Sequence, residues 1–228
     1  MVTAITNDNI KTAVDLWVSD ESTAQNTYGH ISTWDTSGVT NMYQLFSDAY
    51  EFNEDISGWN TSNVTTMEGM FEEKFFMFSN TFNQPIGDWD TSKVTNMENM
   101  FSDSKYFNQD ISGWNTSNVT SMKNMFSNTT VFNQPINTDG YKWNTSKVTN
   151  MERTFNHARV FNQPIGNWDT SEVTTMNNMF NHASDFNQDI GEWITSRVTH
   201  MGHMFQSAPA FNQPINTNGD NWNVSGVT

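Results

Sequence analysis

The stretch WNTSNVTSMKNMFSNTTVFNQPI, Trp114 to Ile136, recurs along the whole chain with little change. Tryptophans stand at Trp34, Trp59, Trp89, Trp114, Trp143, Trp168, Trp193 and Trp222, and nearly every one heads the pattern W-x-T-S-x-V-T-x-M. Only Trp17 falls outside the series. Most intervals are 25 residues, and the longer ones come from insertions at Glu73 to Asn80, Asn137 to Lys142 and Asn216 to Asn221, after which the register resumes. A fixed period of this length marks a tandem-repeat protein, in which an insertion bulges from one copy without disturbing its neighbours.

Within a copy, Thr91 to Thr95 alternates Ser92 and Val94 with Thr91, Lys93 and Thr95. Period two with β-branched residues predicts a short, half-buried strand. Met97, Met100 and Phe101 follow at i, i+3 and i+4, the spacing of one helical face. Thr95 with Glu98, Thr65 with Glu68 and Thr149 with Glu152 match the capping box of a helix start. The expected fold is therefore an α/β repeat solenoid with one short parallel strand and one short helix in each copy.

Stacked copies would place Phe on Phe and Trp on Trp in continuous ladders at about 4.8 Å, the spacing of paired strands. No single copy buries enough to fold alone; several stacked copies do. Asn53, Asn83, Asn108, Asn133, Asn162, Asn187 and Asn212 each follow the ladder phenylalanine. A carboxamide there is expected to satisfy loop backbone in its own copy and the next. Two positions later Asp55, Asp110 and Asp189 alternate with Pro85, Pro135, Pro164 and Pro214, as suits a turn that accepts either residue.

Two parts are expected: residues 1–30 as an N-terminal capping helix and linker, and residues 31–228 as about eight repeats, the last truncated. Ile10, Ala13, Val14, Trp17 and Val18 lie at helical spacing within Asp8 to Asp20, with Thr6 or Asn7 as N-cap, and would seal the first copy. The chain stops within a repeat at Thr228, so it reads as a fragment of a longer protein or as an open end that pairs with another chain.

The pattern W-[DN]-T-S-x-V-T-x-M-x-x-M-F-x-x-x-x-x-F-N-Q-[DP]-I resembles the bacterial surface-protein 26-residue repeat, the BspA-like, DUF285 class of leucine-rich-repeat-like proteins. The resemblance covers Ile31 to Thr228. It implies a right-handed leucine-rich-repeat-like coil and a secreted or cell-surface role in adhesion. It carries over no binding residue, because the shared positions are core and turn positions.

The 228 residues carry 25 acidic and 10 basic side chains, a net charge of −15, which disfavours nucleic acid and anionic membrane as partners. No stretch is long and apolar enough to span a membrane. With no cysteine, thiolate nucleophiles, disulfides and common structural zinc sites are out of reach. His200 and His203 lie three apart, and His157 and His182 share a repeat position, yet no metal-binding motif surrounds them, so solvated histidines are expected. Calcium is the better metal candidate, at Asp88/Asp90 and Asp139/Asp220, although no known calcium-loop pattern occurs. Serines recur too uniformly for one to be a nucleophile, and the N-x-S/T sequons beginning at Asn60 or Asn115 are generated by the repeat itself. No catalytic residue, and hence no enzyme, is expected.

What remains is the outward strand row. Two threonine columns, such as Thr91 and Thr95, flank a central column that varies: Asn63, Lys93, Asn118, Lys147, Glu172 and Arg197. These six are the candidate partner-binding residues, for a protein or glycan. A structural spacer is the alternative reading. Threonine columns also raise ice binding, which the interrupting charges oppose.

Overall fold

The computed structural model describes residues 2–74, 80–137, 143–215 and 221–227. Most of each predicted insertion, at 75–79, 138–142 and 216–220, lies outside the described residues. The chain opens with α1 (Ile10–Ser19) and α2 (Glu21–Tyr28), followed by a single 3-10 turn at Ile31–Thr33. Beyond it the described residues form no helix and no strand. The copies are built from turns and touch through isolated parallel bridges: Asn41 with Thr66, then Asn96, Ser121, Asn150, Thr175 and His200 in succession.

The expected α/β solenoid of leucine-rich-repeat type, with a strand and a helix per copy, is thus not what forms, and two local facts explain why. First, Thr91 to Val94 is a turn closed by the Val94 N–H on the Thr91 carbonyl at 2.9 Å. Thr91 is buried, and its hydroxyl donates to the Asn115 carbonyl of the next copy at 3.0 Å. Second, Asn99 and Asp103 sit at φ of 55° and 62°, as do their counterparts in other copies. An α-helix cannot pass through left-handed residues. The N–H groups of Met97, Asn99, Phe101 and Asp103 instead donate to the next copy, while Met100 and Ser102 close turns within their own. The capping boxes dissolve too: the Glu98 N–H meets Asn96 Oδ1 at 2.9 Å, and Thr95 Oγ1 donates to the Thr65 carbonyl.

The ladders do form. Phe46, Phe71, Phe101, Phe126, Phe155, Phe180 and Phe205 stack from copy to copy with ring centroids 5.5–5.9 Å apart. A second phenylalanine column, Phe52 to Phe211, lies beside it, and within one copy the two rings approach to 3.9–4.3 Å. These are stacked separations at which aromatic pairs add to the gain from burial. Each later tryptophan is buried and donates its Nε1–H to the carbonyl of the isoleucine that stands just before the previous tryptophan of the series, as Trp114 does to Ile86 at 2.9 Å. The asparagine column is as regular: the N–H of Asn108 meets Asn83 Oδ1 at 2.9 Å, Asn133 meets Asn108 at 3.0 Å, and Gln109 Nε2 reaches the Asn83 carbonyl. The amides therefore bridge copies as expected, from a half-buried edge.

At the N-terminus α1 buries Ile10, Ala13, Val14 and Trp17, while Val18 remains half exposed. Trp17 meets Trp34 edge to face at 6.1 Å and covers the start of the tryptophan column. Asn9, rather than Thr6 or Asn7, is the N-cap residue. Asn7 does something else: its Oδ1 accepts from the N–H groups of Thr40 and Asn41 and from Thr40 Oγ1, at 3.0–3.1 Å. In later copies the equivalent threonine N–H finds the preceding copy's carbonyl, as Thr65 does on Thr40. Asn7 replaces the copy that is not there.

Candidate functional site

The six candidate residues lie at the tips of successive turns. In five of the six, the residue after the tryptophan orients the turn, as Asp90 Oδ1 does by accepting the Ser92 N–H at 2.9 Å; in the Arg197 turn that residue is Ile194, whose side chain has no acceptor to offer. The tip side chain then points to the neighbouring copy. Asn63 Nδ2 donates to the Ser37 carbonyl at 2.9 Å, and Lys93 Nζ to Asn63 Oδ1 at 2.7 Å. Asn118 Nδ2 donates to the Ser92 carbonyl at 2.8 Å, Lys147 Nζ to Asn118 Oδ1 at 2.7 Å, and Arg197 pairs with Glu172. All six are brought into one file. Exposed ion pairs and hydrogen bonds of this kind add little stability, about 0–1 kcal/mol each, so their effect is to order an open surface.

Only one of the two expected threonine columns flanks this file. Thr65, Thr95, Thr120, Thr149, Thr174 and Thr199 are exposed, with each hydroxyl on the carbonyl of the preceding copy's threonine. The other column, Thr36 to Thr195, is buried. Ser92, which the alternation groups with Val94, is half-buried at the turn, while Val94 is buried.

A second polar surface escapes the sequence reading. Residues of the two left-handed columns line a groove of about 590 Å³, in pairs contributed by successive copies: Asn99 with Asp103, Asn124 with Asn128, Arg153 with His157, and Asn178 with His182. Glu72 stands at one end. The signal was present, since asparagine, aspartate and glycine tolerate φ > 0 best and fill much of these columns.

Electrostatics in this groove are unfavourable to charge. Burial raises Asp103 above the ordinary carboxylate range, against the lowering effect of the Asn128 hydrogen bond. Burial likewise raises Glu72. His157 stacks on His182 with centroids 4.4 Å apart, and burial, then the neighbouring His182 and Arg159 charges, hold its pKa below normal. A raised carboxyl pKa means that Asp103 favours the fold when protonated and loses that contribution as pH rises through its folded value. Asp103→Asn is therefore expected to raise Tm at neutral pH, with the gain vanishing on acidification below about 4. Thermal melts of both proteins across pH check it; a gain that persists at acid pH would refute the charge explanation. The depressed His157 acts in the opposite sense, with stability lost as pH falls below about 6.5.

Among the described residues, no three His, Asp or Glu side chains are placed to hold a metal ion. His200 bridges Thr175, with its Nδ1 2.8 Å from Thr199 Oγ1, and His203 sits in a left-handed turn rather than on a shared helical face. In the calcium candidate, Asp90 Oδ1 is spent on Ser92, while Asp139 and Asp220 lie outside the described residues.

Stacked turn-built copies carrying exposed files of side chains define a tandem-repeat protein. The chain belongs to the family described as "Mycoplasma protein of unknown function, DUF285", whose profile matches residues 19–77, 73–141 and 138–228. No curated protein matches it. No described helix is long and apolar enough to cross a membrane.

Proposed function

We propose that this chain is a non-enzymatic binding module that engages a protein or glycan at a cell surface through the file Asn63, Lys93, Asn118, Lys147, Glu172 and Arg197. The observation that carries this reading is the division of labour within the repeat. The tryptophan, valine, methionine, phenylalanine and isoleucine columns are buried in the core, and the asparagine column is spent joining copies. The turn tips are exposed or half-exposed, held in line, and different in charge from one copy to the next. Invariant interior with variable, ordered exterior is how repeat proteins build recognition surfaces. The resemblance to bacterial surface-protein repeats supports the location.

The test is a screen of immobilised extracellular-matrix proteins and a glycan array, followed by Lys93→Glu, Lys147→Glu and Arg197→Glu. Affinity for the strongest binder should fall about tenfold or more, which corresponds to about 1.4 kcal/mol, with Tm unchanged. Unaltered affinity in the triple variant removes the turn file as the binding surface.

A further inference from the structure

The groove along the left-handed columns is a separate surface from the turn file, and its chemistry is more specific. Its wall changes stepwise from the carboxylate of Glu72, through the carboxamides of Asn99 and Asn124, to the guanidinium of Arg153 and the carboxamide of Asn178. The backbone fixes these groups: the N–H of Asn99 donates to the Lys123 carbonyl at 2.8 Å, and those of Asn124, Arg153 and Asn178 to the next copy at 2.9 Å. Asn124 Nδ2 also donates to Asn99 Oδ1 at 2.9 Å, tying neighbouring copies together. Such preorganisation removes part of the ordering cost of binding.

Asn181 braces this wall from behind. It lines the groove, is only 7% exposed, and spends its Nδ2 on Asn178 Oδ1 at 3.0 Å and Gln206 Oε1 at 3.3 Å, while its Oδ1 meets no donor. That oxygen is enclosed, so what Asn181 offers the groove is the hold its Nδ2 keeps on the Asn178 carboxamide. A wall of carboxamides, which donate and accept, favours a ligand whose groups do both.

Register selects the class of ligand. Parallel-bridged backbones sit about 4.8 Å apart, whereas an extended peptide returns to the same face only after about 6.6 Å. A peptide laid along the groove falls out of step within two copies. A chain of pyranose rings advances by close to one ring per copy, and each ring offers hydroxyls that donate and accept as a carboxamide does. The net charge of −15 disfavours a polyanion. We propose that this groove binds a linear glycan of uncharged hexopyranose units, about one ring per copy, from Glu72 to Asn178.

The experiment is calorimetric titration with cellopentaose, chitopentaose and maltopentaose, and with the corresponding disaccharides. At least one pentasaccharide should bind, far more tightly than its disaccharide. Affinity should fall about tenfold or more in the Asn124→Gly, Asn178→Gly double variant. Glycine removes the carboxamide and keeps the backbone, since Gly69 occupies the same column at φ 61°. Lys93→Glu should leave this binding unchanged, which separates the groove from the turn file. No pentasaccharide binding at millimolar concentration, a disaccharide that binds equally well, undiminished affinity in the glycine variant, or capture of extended peptides alone would each overturn the proposal.

Discussion

Phe101→Ala is expected to destabilise the protein by about 3–5 kcal/mol, the cost of removing a fully buried aromatic ring from a packed core. The ring is wholly enclosed and stacks on Phe107 at 3.9 Å in its own copy. It also meets Phe71 at 5.7 Å, Phe126 at 5.9 Å and Trp114 at 6.1 Å across the boundaries on both sides. One deletion therefore weakens two interfaces as well as the copy itself. In a repeat protein stability is close to a sum of repeat and nearest-neighbour terms, so the position of the gap matters. Phe205 occupies the same column in a later copy, but it is only partly buried, with ring contacts to Phe180 and Phe211. Phe205→Ala should cost distinctly less. Denaturant titrations followed by circular dichroism compare the two. Equal losses would mean that the aromatic column does not couple the copies. For a chain of this size the larger loss corresponds to a Tm roughly 6–20 °C lower.

That comparison marks how far the sequence could be read. The columns of Trp, Val, Met, Phe and Ile are legible as core because apolar residues returning at a fixed period must face a shared interior, and they do. The local conformation was not legible, and the reason is specific. Threonine counts as polar in a period-two reading, yet Thr91 points inward because its hydroxyl has a carbonyl waiting in the next copy. Met97, Met100 and Phe101 mimic a helical face, while the left-handed residues Asn99 and Asp103 fold that same spacing into consecutive turns. Composition held the hint, in asparagines and aspartates at positions a helix would give to better helix formers. α2 went unread because ESTAQNTY buries little besides Ala24. The turn file was visible because exposed side chains are free to vary. The groove was not, since it depends on turn geometry that periodicity does not reveal.

The alternation of aspartate and proline copies shows the same dependence on neighbours, and leads to the second large effect. In aspartate copies the side chain closes its own turn: Asp189 Oδ1 accepts the Gly191 N–H, and Asp110 Oδ1 the Ser112 N–H, both at 2.9 Å. The carbonyl of that aspartate lies against the preceding copy. A Cβ on Gly166 would stand 2.3 Å from the Asp189 carbonyl oxygen, and one on Gly87 2.5 Å from that of Asp110. Both contacts are to backbone, which cannot swing aside. Where the following copy carries proline instead, three of the four equivalent residues have a side chain, Ser57 before Pro85, Ser112 before Pro135 and Asn137 before Pro164; the fourth is Gly191, where a Cβ would meet the Pro214 carbonyl oxygen only at 3.7 Å, an ordinary contact. The turn thus does not accept either residue independently, because its choice constrains the copy before it. Gly166→Ala is expected to cost about 1–3 kcal/mol through overpacking, lowering Tm by several degrees. Adding Asp189→Pro should recover much of that loss, because it recreates the pairing of Asn137 with Pro164. Thermal melts of the two single variants and the double variant form a cycle with a coupling energy of about 1 kcal/mol or more. Additive losses would show that the glycine is required for a reason within its own copy.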